Sequence, residues 1–528
     1  MSVFARLFLT KSLTTLDEEA TAKSGLLRTL TSLDLVALGI GAIVGAGIFL
    51  TVGTAAAGEG SVRPGAGPAI ILSFLLTGGV CALTALCYAE LAAMIPISGS
   101  AYTYAFATLG ELVAWIIGWD LLIEYAAGNV AVAISWSGYF QAFLDSAFGV
   151  HFPAWLVNGY RTASPEIVAQ APHLFGVPVL LNLPAVFIVL ALTWLLVIGV
   201  KESARFNTVM VAVKLVILLF FVVLGVYFFD LDNWFPKDAP STWKGFAPNG
   251  MAGIATGAAI VFFAYIGFDA VSTAGEEAKD PKRDLPIGIL GSLAICTIIY
   301  MVVAGVLTGM TSYTRLNNAE PLAVALSEKG MGWASAIVAF GSVVAHTAVL
   351  LVFQMGQPRI FFSMARDGLL PPIFTRVHPK YGTPHLTTIA TGLAVAALSA
   401  FFAIDEIVDL TNIGTLFAFV LVSAGVMILR VRDPGRARPF RTPAVWVVGP
   451  LAIASCFYLM YYLPFVTWVR FLVWLLIGLV FYFSSVVWNA QLQGRGMTQK
   501  TARILTSSVA IASAIGIAWT SVALGLWK

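Results

Sequence analysis

The chain has 528 residues, of which 59% are hydrophobic and only 11% are charged, whereas about 25% of residues are charged in ordinary soluble domains. With a mean hydropathy of +0.89, this composition predicts an all-α integral membrane protein with many spans. The formal net charge of +3 is too small and too dispersed to indicate a nucleic-acid partner. The four cysteines lie inside apolar runs without C-x-x-C spacing, so we expect neither a metal site nor a disulfide framework.

Thirteen apolar runs are candidate membrane-spanning helices, numbered here as spans 1 to 13. They lie at residues 33–57, 68–95, 110–146, 183–200, 204–229, 250–274, 286–310, 332–364, 385–403, 406–429, 443–463, 467–489 and 504–527. The runs divide the chain into an N-terminal tail (1–32), five spans (33–229), five further spans (250–430), spans 11 and 12 (443–489) and an additional transmembrane helix (504–527). Residues 147–182 and 230–249 carry Pro, Asn and Trp and are predicted to be surface loops.

The positions of Lys and Arg indicate the orientation of the chain. With the N-terminus in the cytoplasm, most of these residues fall in cytoplasmic segments, above all at 430–441, and few lie outside. This predicts a multi-pass protein of the plasma (inner) membrane with a cytoplasmic N-terminus. The charged segment 276–283 then lies on the cytoplasmic side, where we expect it to act as a latch.

Span 1 contains a high density of glycine near its centre. Gly39, Gly41, Gly45 and Gly47 fall within Gly39–Phe49, and each weakens a helix interior by about 1 kcal/mol relative to alanine. In lipid, a helix is expected to be interrupted only where its freed N–H and C=O groups serve another purpose. A half-helix that begins inside the membrane presents amides that can bind a carboxylate. We therefore predict the backbone part of a binding site for a zwitterionic solute.

Two other interpretations of these glycines remain open. Small residues four apart, such as Gly41 and Gly45, are typical of a close-packed face between membrane helices. Glycine also permits a kink that has no function. A dinucleotide-binding loop is excluded, because the spacing G-x-G-x-x-x-G differs from G-x-G-x-x-G and no strand precedes it.

Span 6 is interrupted in a similar way, around Phe262–Asp269. Spans 1–5 and 6–10 cover similar lengths, and an odd number of spans in each group gives the two groups inverted topology. Interrupted helices at corresponding positions in two inverted halves indicate a substrate site near the membrane midplane. We therefore predict a five-plus-five inverted-repeat fold with broken helices 1 and 6, followed by two to three extra C-terminal helices.

Six segments in order along the chain carry a family resemblance. They are IGAIVGAGIF (40–49), IPISGSAYTY (95–104), GWDLLIEY (118–125), YIGFDAVSTAGEEAKDPKRD (265–284), ARDGLLPPIFTRVHPKYGTP (365–384) and RPFRTP (438–443). On these segments the chain resembles the amino acid–polyamine–organocation (APC) transporters, and among them the bacterial relatives of the cationic amino acid transporters. The resemblance covers about residues 25–490 and implies the fold named after the leucine transporter.

The resemblance also implies which residues bind the substrate. In this family the substrate carboxylate rests on backbone amides after the break in helix 1, which here belong to Gly45, Ala46 and Gly47. The substrate ammonium meets backbone carbonyls, which here belong to Ile43 in span 1 and to Phe263, Ala264 and Ile266 in span 6. This assignment fits the partial charges of half-helices, which are positive at the amide end and negative at the carbonyl end. No cofactor is implied.

Lys214 is the most informative charged residue inside a span. It lies about ten residues into span 5, or roughly 15 Å at 1.5 Å per residue, which places it near the midplane and too deep to reach the interface easily. Burial disfavours the charged form of an amine, and the resemblance implies that a helix 5 lysine replaces the sodium ion of sodium-coupled relatives. We predict that Lys214 carries the coupling proton and contacts the backbone of helices 1 and 8. A lysine with a structural carboxylate partner is the alternative.

Two other ionisable residues lie deep in the spans. Glu124 follows Asp120 by one turn on the same face of span 3, and the resemblance implies that it borders the site. A structural or coupling role is favoured over direct binding of a cationic substrate. His346 in span 8 is interpreted first as a buried neutral imidazole, with a proton relay as the alternative.

Together these observations predict a secondary active transporter that takes up L-amino acids, cationic or small and neutral, with the proton as coupling ion. An exchanger of amino acids or amines on the same fold is the alternative. An enzyme is not indicated, because the 5 histidines form no H-E-x-x-H or comparable set. A channel is not indicated either, because it would need pore-lining charge rings or a filter repeat, and neither is visible in the sequence. The expected partners are an amino acid, the proton and the lipid bilayer, while the preferred amino acid and the oligomeric state are left open.

Overall fold

The structure is a computed structural model, which describes residues 9–11, 29–60, 63–96, 100–160, 163–199, 204–275 and 277–492. Its twelve principal helices, α1 to α12, coincide with the first twelve predicted spans. They are α1 (Ser32–Ile43, resuming at Val52–Ala57), α2 (Ile70–Met94), α3 (Glu111–Phe148), α4 (Leu183–Ile198), α5 (Ala204–Tyr227), α6 (Gly250–Val261), α7 (Pro281–Met310), α8 (Gly332–Arg366), α9 (His385–Phe401), α10 (Ile404–Arg432), α11 (Val445–Tyr461) and α12 (Phe465–Leu492). The predicted span at 504–527 lies outside the described residues.

Nine helices of the described part of the chain are long and apolar enough to cross a membrane. The three shorter apolar helices α4, α9 and α11 have 16, 17 and 17 residues. This architecture confirms the prediction of an all-α, multi-pass membrane protein. The inverted relation between the two groups of five helices stays a prediction.

Short elements connect the principal helices. Besides short 3₁₀-helices, they include four α-helices (Ser100–Thr108, Pro165–Gln170, Thr242–Phe246 and Pro321–Glu328) and two antiparallel hairpins, β1 (Gly58–Glu59) with β2 (Arg63–Pro64) and β3 (His173–Leu174) with β4 (Val177–Pro178). The two predicted surface loops contain three of these elements: Pro165–Gln170, the β3–β4 hairpin and Thr242–Phe246.

The start of α1 is fixed by side-chain and main-chain hydrogen bonds. Thr31 and Asp34 form a capping box, in which each side chain accepts from the other's backbone N–H, satisfying two groups that a helix start leaves free. Just before it, the amides of Thr29 and Leu30 donate to the carbonyl of Glu277 at 2.9 and 3.0 Å, and the amide of Lys279 donates to the carbonyl of Leu30 at 2.8 Å. The segment expected to act as a latch is therefore joined to the start of α1 through its main chain.

The principal helices pack around a buried centre. α3 packs against α8 and α10, while α7 packs against α1 and α2, and α5 packs against α1 and α8. Stacked indoles of Trp115, Trp119 and Trp474 attach α3 to α12, with ring centroids 5.9 and 4.6 Å apart. This arrangement surrounds the interrupted parts of α1 and α6 with helices on all sides.

Candidate functional site

The interruption predicted in span 1 is confirmed. The first half-helix, α1a (Ser32–Ile43), ends where Val44 takes extended backbone angles (φ −74°, ψ 92°). Helical geometry returns at Ala46, continues as a π-helix over Gly47–Thr51, and becomes the second half-helix, α1b (Val52–Ala57). The amides of residues 45–47 therefore lie at the start of a helix, where N–H groups have no partner four residues earlier.

Helix α6 is interrupted at the position predicted for span 6. After Val261 the chain continues as a 3₁₀-helix over Phe262–Tyr265, and Ile266 is extended (φ −60°, ψ 131°). Gly267 then has φ +117°, a conformation that glycine adopts at little cost. A Cβ at this position would also lie 2.8 Å from the carbonyl oxygen of Ala42, so this turn of the chain requires glycine.

The two interruptions lie against each other in the interior. A Cβ on Gly47 would overlap the backbone of Ala264, so glycine at this position allows the close approach of α1 and α6. The predicted substrate-binding residues Ile43, Ala46, Phe263, Ala264 and Ile266 are each at most 5% exposed. The structure therefore brings the predicted main-chain donors and acceptors together in one buried site. Close packing, one of the open interpretations of the span 1 glycines, occurs here together with the interruption.

Tyr300 on α7 is a site residue that the sequence analysis did not identify. Its hydroxyl lies 2.7 Å from the carbonyl oxygen of Ile43 and 2.9 Å from that of Ala264, so one O–H group bridges both interruptions. These are two of the four carbonyls assigned to the substrate ammonium. Each carbonyl oxygen has a second lone pair, which leaves room for an ammonium donor beside the hydroxyl. Nothing in the sequence distinguishes this tyrosine from the other 14 of the 15 in the chain.

Lys214 lies directly behind the interruption of α1. Its Nζ donates to the carbonyl oxygen of Gly41 at 2.8 Å, and the residue is only 1% exposed. Gly41 belongs to the last turn of α1a, where backbone carbonyls lack a helical partner and carry partial negative charge. The side chain of α5 therefore bonds the end of the half-helix whose next residues form the candidate substrate site.

Glu124 lies on α3, near the 3₁₀-helix Phe268–Ala274 that follows the α6 interruption. It is 5% exposed, and it interacts with the Thr415 side chain on α10 and with the charge of Asp269. Asp269 comes two residues after Gly267, so Glu124 borders the segment that follows the α6 interruption. Lys214 thus contacts the α1 side of the site, and Glu124 borders the α6 side.

His346 on α8 has a hydrogen bond to each ring nitrogen. Its Nδ1 lies 2.6 Å from the carbonyl oxygen of Ser342, and its Nε2 lies 2.9 Å from the hydroxyl of Ser135. A carbonyl only accepts, so Nδ1 carries the hydrogen. The residue is 0% exposed, which favours the neutral ring, and in that form Nε2 accepts from the serine hydroxyl. The ring contacts Phe49 and Tyr139 at centroid distances of 5.7 and 5.5 Å. This environment matches the first interpretation of His346, a buried neutral ring.

A buried ion pair lies beside α1b, at the end of the bundle opposite the start of α1. Nη1 of Arg63 is 2.8 Å from Oδ2 of Asp409 on α10 and 3.2 Å from Oε1 of Glu59. These groups line a cavity of about 10 Å³ together with Thr51 and Ile260, which is room for about one water molecule. The pair joins the β1–β2 hairpin to α10 above the candidate site.

The chain is similar to known membrane transporters over most of its length. Residues 30–486 match the family model described as amino acid permease. The chain is 44% identical over 477 residues to the methylthioribose transporter of Bacillus subtilis (strain 168), covering 90% of this chain and 97% of that protein. It is 45% identical over 478 residues to the branched-chain amino acid permease BcaP of the same bacterium, with the same 90% and 97% coverage.

A plant relative connects the chain to a second group of transporters. It is 39% identical over 409 residues to cationic amino acid transporter 4, vacuolar, of Arabidopsis thaliana, covering 78% of this chain and 64% of that protein. The family match spans both interrupted helices and every candidate site residue. The chain therefore belongs to the amino acid permease family of the APC transporters and is a relative of the cationic amino acid transporters.

Proposed function

We propose that this protein is a secondary active transporter that takes up L-amino acids across the plasma membrane together with protons. The observation that carries the proposal is the buried meeting point of the α1 and α6 interruptions, with Lys214 bonded to the end of α1a. We place the N-terminal end of the bundle in the cytoplasm, because most Lys and Arg residues then fall on that side.

In this proposal the substrate is recognised mainly by main-chain groups. The carboxylate binds the amides of Gly45, Ala46 and Gly47, at the positive end of a half-helix. The ammonium binds carbonyls of Ile43, Phe263, Ala264 and Ile266, sharing two of them with the Tyr300 hydroxyl. Main-chain recognition fixes the part that all amino acids have in common, so it permits a range of side chains. The relatives named for branched-chain and for cationic amino acids agree with such a range.

Lys214 provides the proposed coupling to protons. When its amine is protonated, it makes a charge-assisted hydrogen bond to the Gly41 carbonyl, which is stronger than a bond between neutral groups. Loss of the proton weakens this bond and releases the end of α1a. The protonation state of Lys214 therefore controls how firmly the half-helix beside the substrate is held.

The test is uptake into proteoliposomes with an inward proton gradient and no sodium. Alanine, leucine and arginine are offered as labelled substrates, and methylthioribose is added as a competitor because one relative is named for it. The key variant is Lys214→Met, which keeps the length of the side chain without its charge. Lys237→Met is the matched control, because Lys237 lies in a loop with its side chain 87% exposed.

We expect gradient-driven accumulation of at least one amino acid by the wild type and by Lys237→Met. Lys214→Met should lose accumulation by tenfold or more while retaining exchange of internal for external amino acid. Full pH-dependent accumulation by Lys214→Met would contradict the proposed coupling. Exchange without net accumulation by the wild type would instead identify an exchanger, and uptake of methylthioribose alone would contradict an amino acid substrate.

A further inference from the structure

A second buried acid, Asp120, lies on α3 one turn before Glu124. Its residue exposure is 0%, and neither carboxyl oxygen has a hydrogen-bond partner among the described residues. An ionised carboxylate that is removed from water without donors costs many kcal/mol, whereas the neutral acid costs far less. The surroundings therefore favour the protonated form of Asp120 in this conformation.

Direct packing against α10 restricts what Asp120 can bind. A Cβ built on Gly414 would lie 2.6 Å from Oδ1 and 3.4 Å from Oδ2 of Asp120, so the backbone of α10 covers the carboxyl group. There is no room for an amine side chain between the two helices. Within the part of the chain that the structure describes, no cluster of His, Cys, Asp and Glu could hold a metal ion. A proton is the ligand that fits.

Charged groups on the neighbouring elements have partners other than Asp120. On α3 itself, the charge of Asp120 acts on Glu124 one turn further along. On α10, Asp409 pairs with Arg63 and Arg430 with Glu90, and on α12 Arg470 pairs with Glu406. On the remaining packed elements, three titratable groups have direct contacts: His346 on α8 with Ser135, Tyr102 on Ser100–Thr108 with Asp367, and His385 on α9 with His378. Two others interact electrostatically: Arg359 on α8 with Tyr125, and Tyr104 on Ser100–Thr108 with Asp269. No basic side chain among these neutralises Asp120.

We propose that Asp120 is a proton-binding site separate from Lys214, and that it must be protonated for α10 to close against α3. When α10 moves away, water reaches the carboxyl group and its ionised form is stabilised. When α10 returns, the proton must be bound again, since the closed interface supplies no donor. The inference rests on the proposed transport cycle, but it does not depend on the role of Lys214.

Two measurements on the purified protein test this proposal. Infrared spectroscopy detects the C=O stretch of a protonated buried carboxylic acid, and it requires no substrate. Amino acid exchange in proteoliposomes, measured at equal pH on both sides, reports the pH dependence of closing and reopening. The variants are Asp120→Asn, which has the shape of the neutral acid, and the control Asp145→Asn, whose carboxylate lies on the same helix with 57% of its side chain exposed.

We expect Asp120→Asn to lose a protonated-acid band that the wild type and Asp145→Asn retain. Exchange by the wild type should fall as the pH rises, by up to about tenfold per pH unit, the limit for one proton. Asp120→Asn should have a flatter profile, because its amide needs no proton, and Lys214→Met should retain the part of the profile that Asp120 causes.

An unchanged infrared band in Asp120→Asn, or a wild-type pH profile in that variant, would overturn the proposal. Should Asp120→Asn fail to fold, Glu124→Gln replaces it. A protonated-acid band that persists in Glu124→Gln supports Asp120 as the proton-binding site. Loss of the band in Glu124→Gln assigns the proton to Glu124 and overturns the proposal. Absence of any amino acid exchange by the wild type would contradict the proposed function instead, and the infrared band would still decide the state of Asp120.

Discussion

The ion pair between Arg63 and Asp409 allows a quantitative test of how the site opens. Both side chains are 6% exposed, and the two charged atoms are 2.8 Å apart. Removing one partner of a buried pair costs about 3–5 kcal/mol when the other charge stays buried. Arg63→Met imposes this cost on the closed conformation, because the Asp409 carboxylate then stays buried without the guanidinium. The cost is much smaller in an open conformation, where water reaches the carboxylate. A difference of about 3 kcal/mol favours opening by a factor of about 100, since 1.4 kcal/mol is tenfold.

Cysteine accessibility measures this shift. Thr51 lines the cavity below the pair and is 2% exposed, so Thr51→Cys should react slowly with a membrane-impermeant maleimide added outside. The four native cysteines are buried, and the protein without Thr51→Cys gives the background. We expect Arg63→Met to raise the labelling rate by about 100-fold, and the exchanged pair Arg63→Asp with Asp409→Arg to restore slow labelling.

Arg470→Met is the matched control for this experiment. Arg470 pairs with Glu406 at 3.1 Å, but the side chains are 21% and 24% exposed, so its loss should leave the labelling rate nearly unchanged. If Arg63→Met labels no faster than the parent, the pair does not hold this end of the bundle closed. Fast labelling of the exchanged pair would show that charge pairing is not the cause.

Three further predictions concern buried polar groups. Tyr300→Phe leaves two carbonyls without their donor, so we expect a loss of about 1–3 kcal/mol in the free energy of unfolding. Added substrate should then raise the melting temperature more than it does in the wild type, and an equal rise would contradict the bridging role. His346→Gln should lower the melting temperature without changing the pH profile of transport, because both ring nitrogens are bonded and complete burial favours the neutral ring. A flattened profile would assign it a proton relay. Glu90 is 1% exposed and accepts from Arg430, so Glu90→Gln should cost about 3–5 kcal/mol, and an unchanged melting temperature would refute this.

Local sequence patterns were sufficient to predict the helices and their interruptions. Long apolar runs correspond to α1–α12 because lipid leaves no other way to satisfy the backbone over such a length. Glycine density predicted the break in α1, and Gly267 marks the break in α6 because its φ of +117° suits no other residue well. Lys214 was found because a single charge stands out in an apolar run.

Contacts between distant residues could not be predicted in the same way. Arg63 and Asp409 are 346 positions apart, and each could equally have been a solvated surface charge. Tyr300 belongs to the site only because α7 brings its hydroxyl within reach of both interruptions, which no property of its own segment reveals. The exposure of Asp120 depends on how closely α10 approaches α3. In the sequence, Gly414 is as consistent with a flexible point in α10 as with a close contact between the two helices.

The main-chain pairing before α1 has a consequence for motion. Thr29 and Leu30 are bonded to Glu277 and Lys279 through backbone groups alone, so the entry to α1 and the segment after α6 are joined whatever side chains they carry. A displacement of either segment therefore displaces the other, so the two interrupted helices are mechanically coupled at this end of the bundle. A single spectroscopic label on either segment would therefore follow both helices, and side-chain substitutions in the pairing should be silent. Proline at position 30 would weaken the coupling, because it removes one of the three N–H donors.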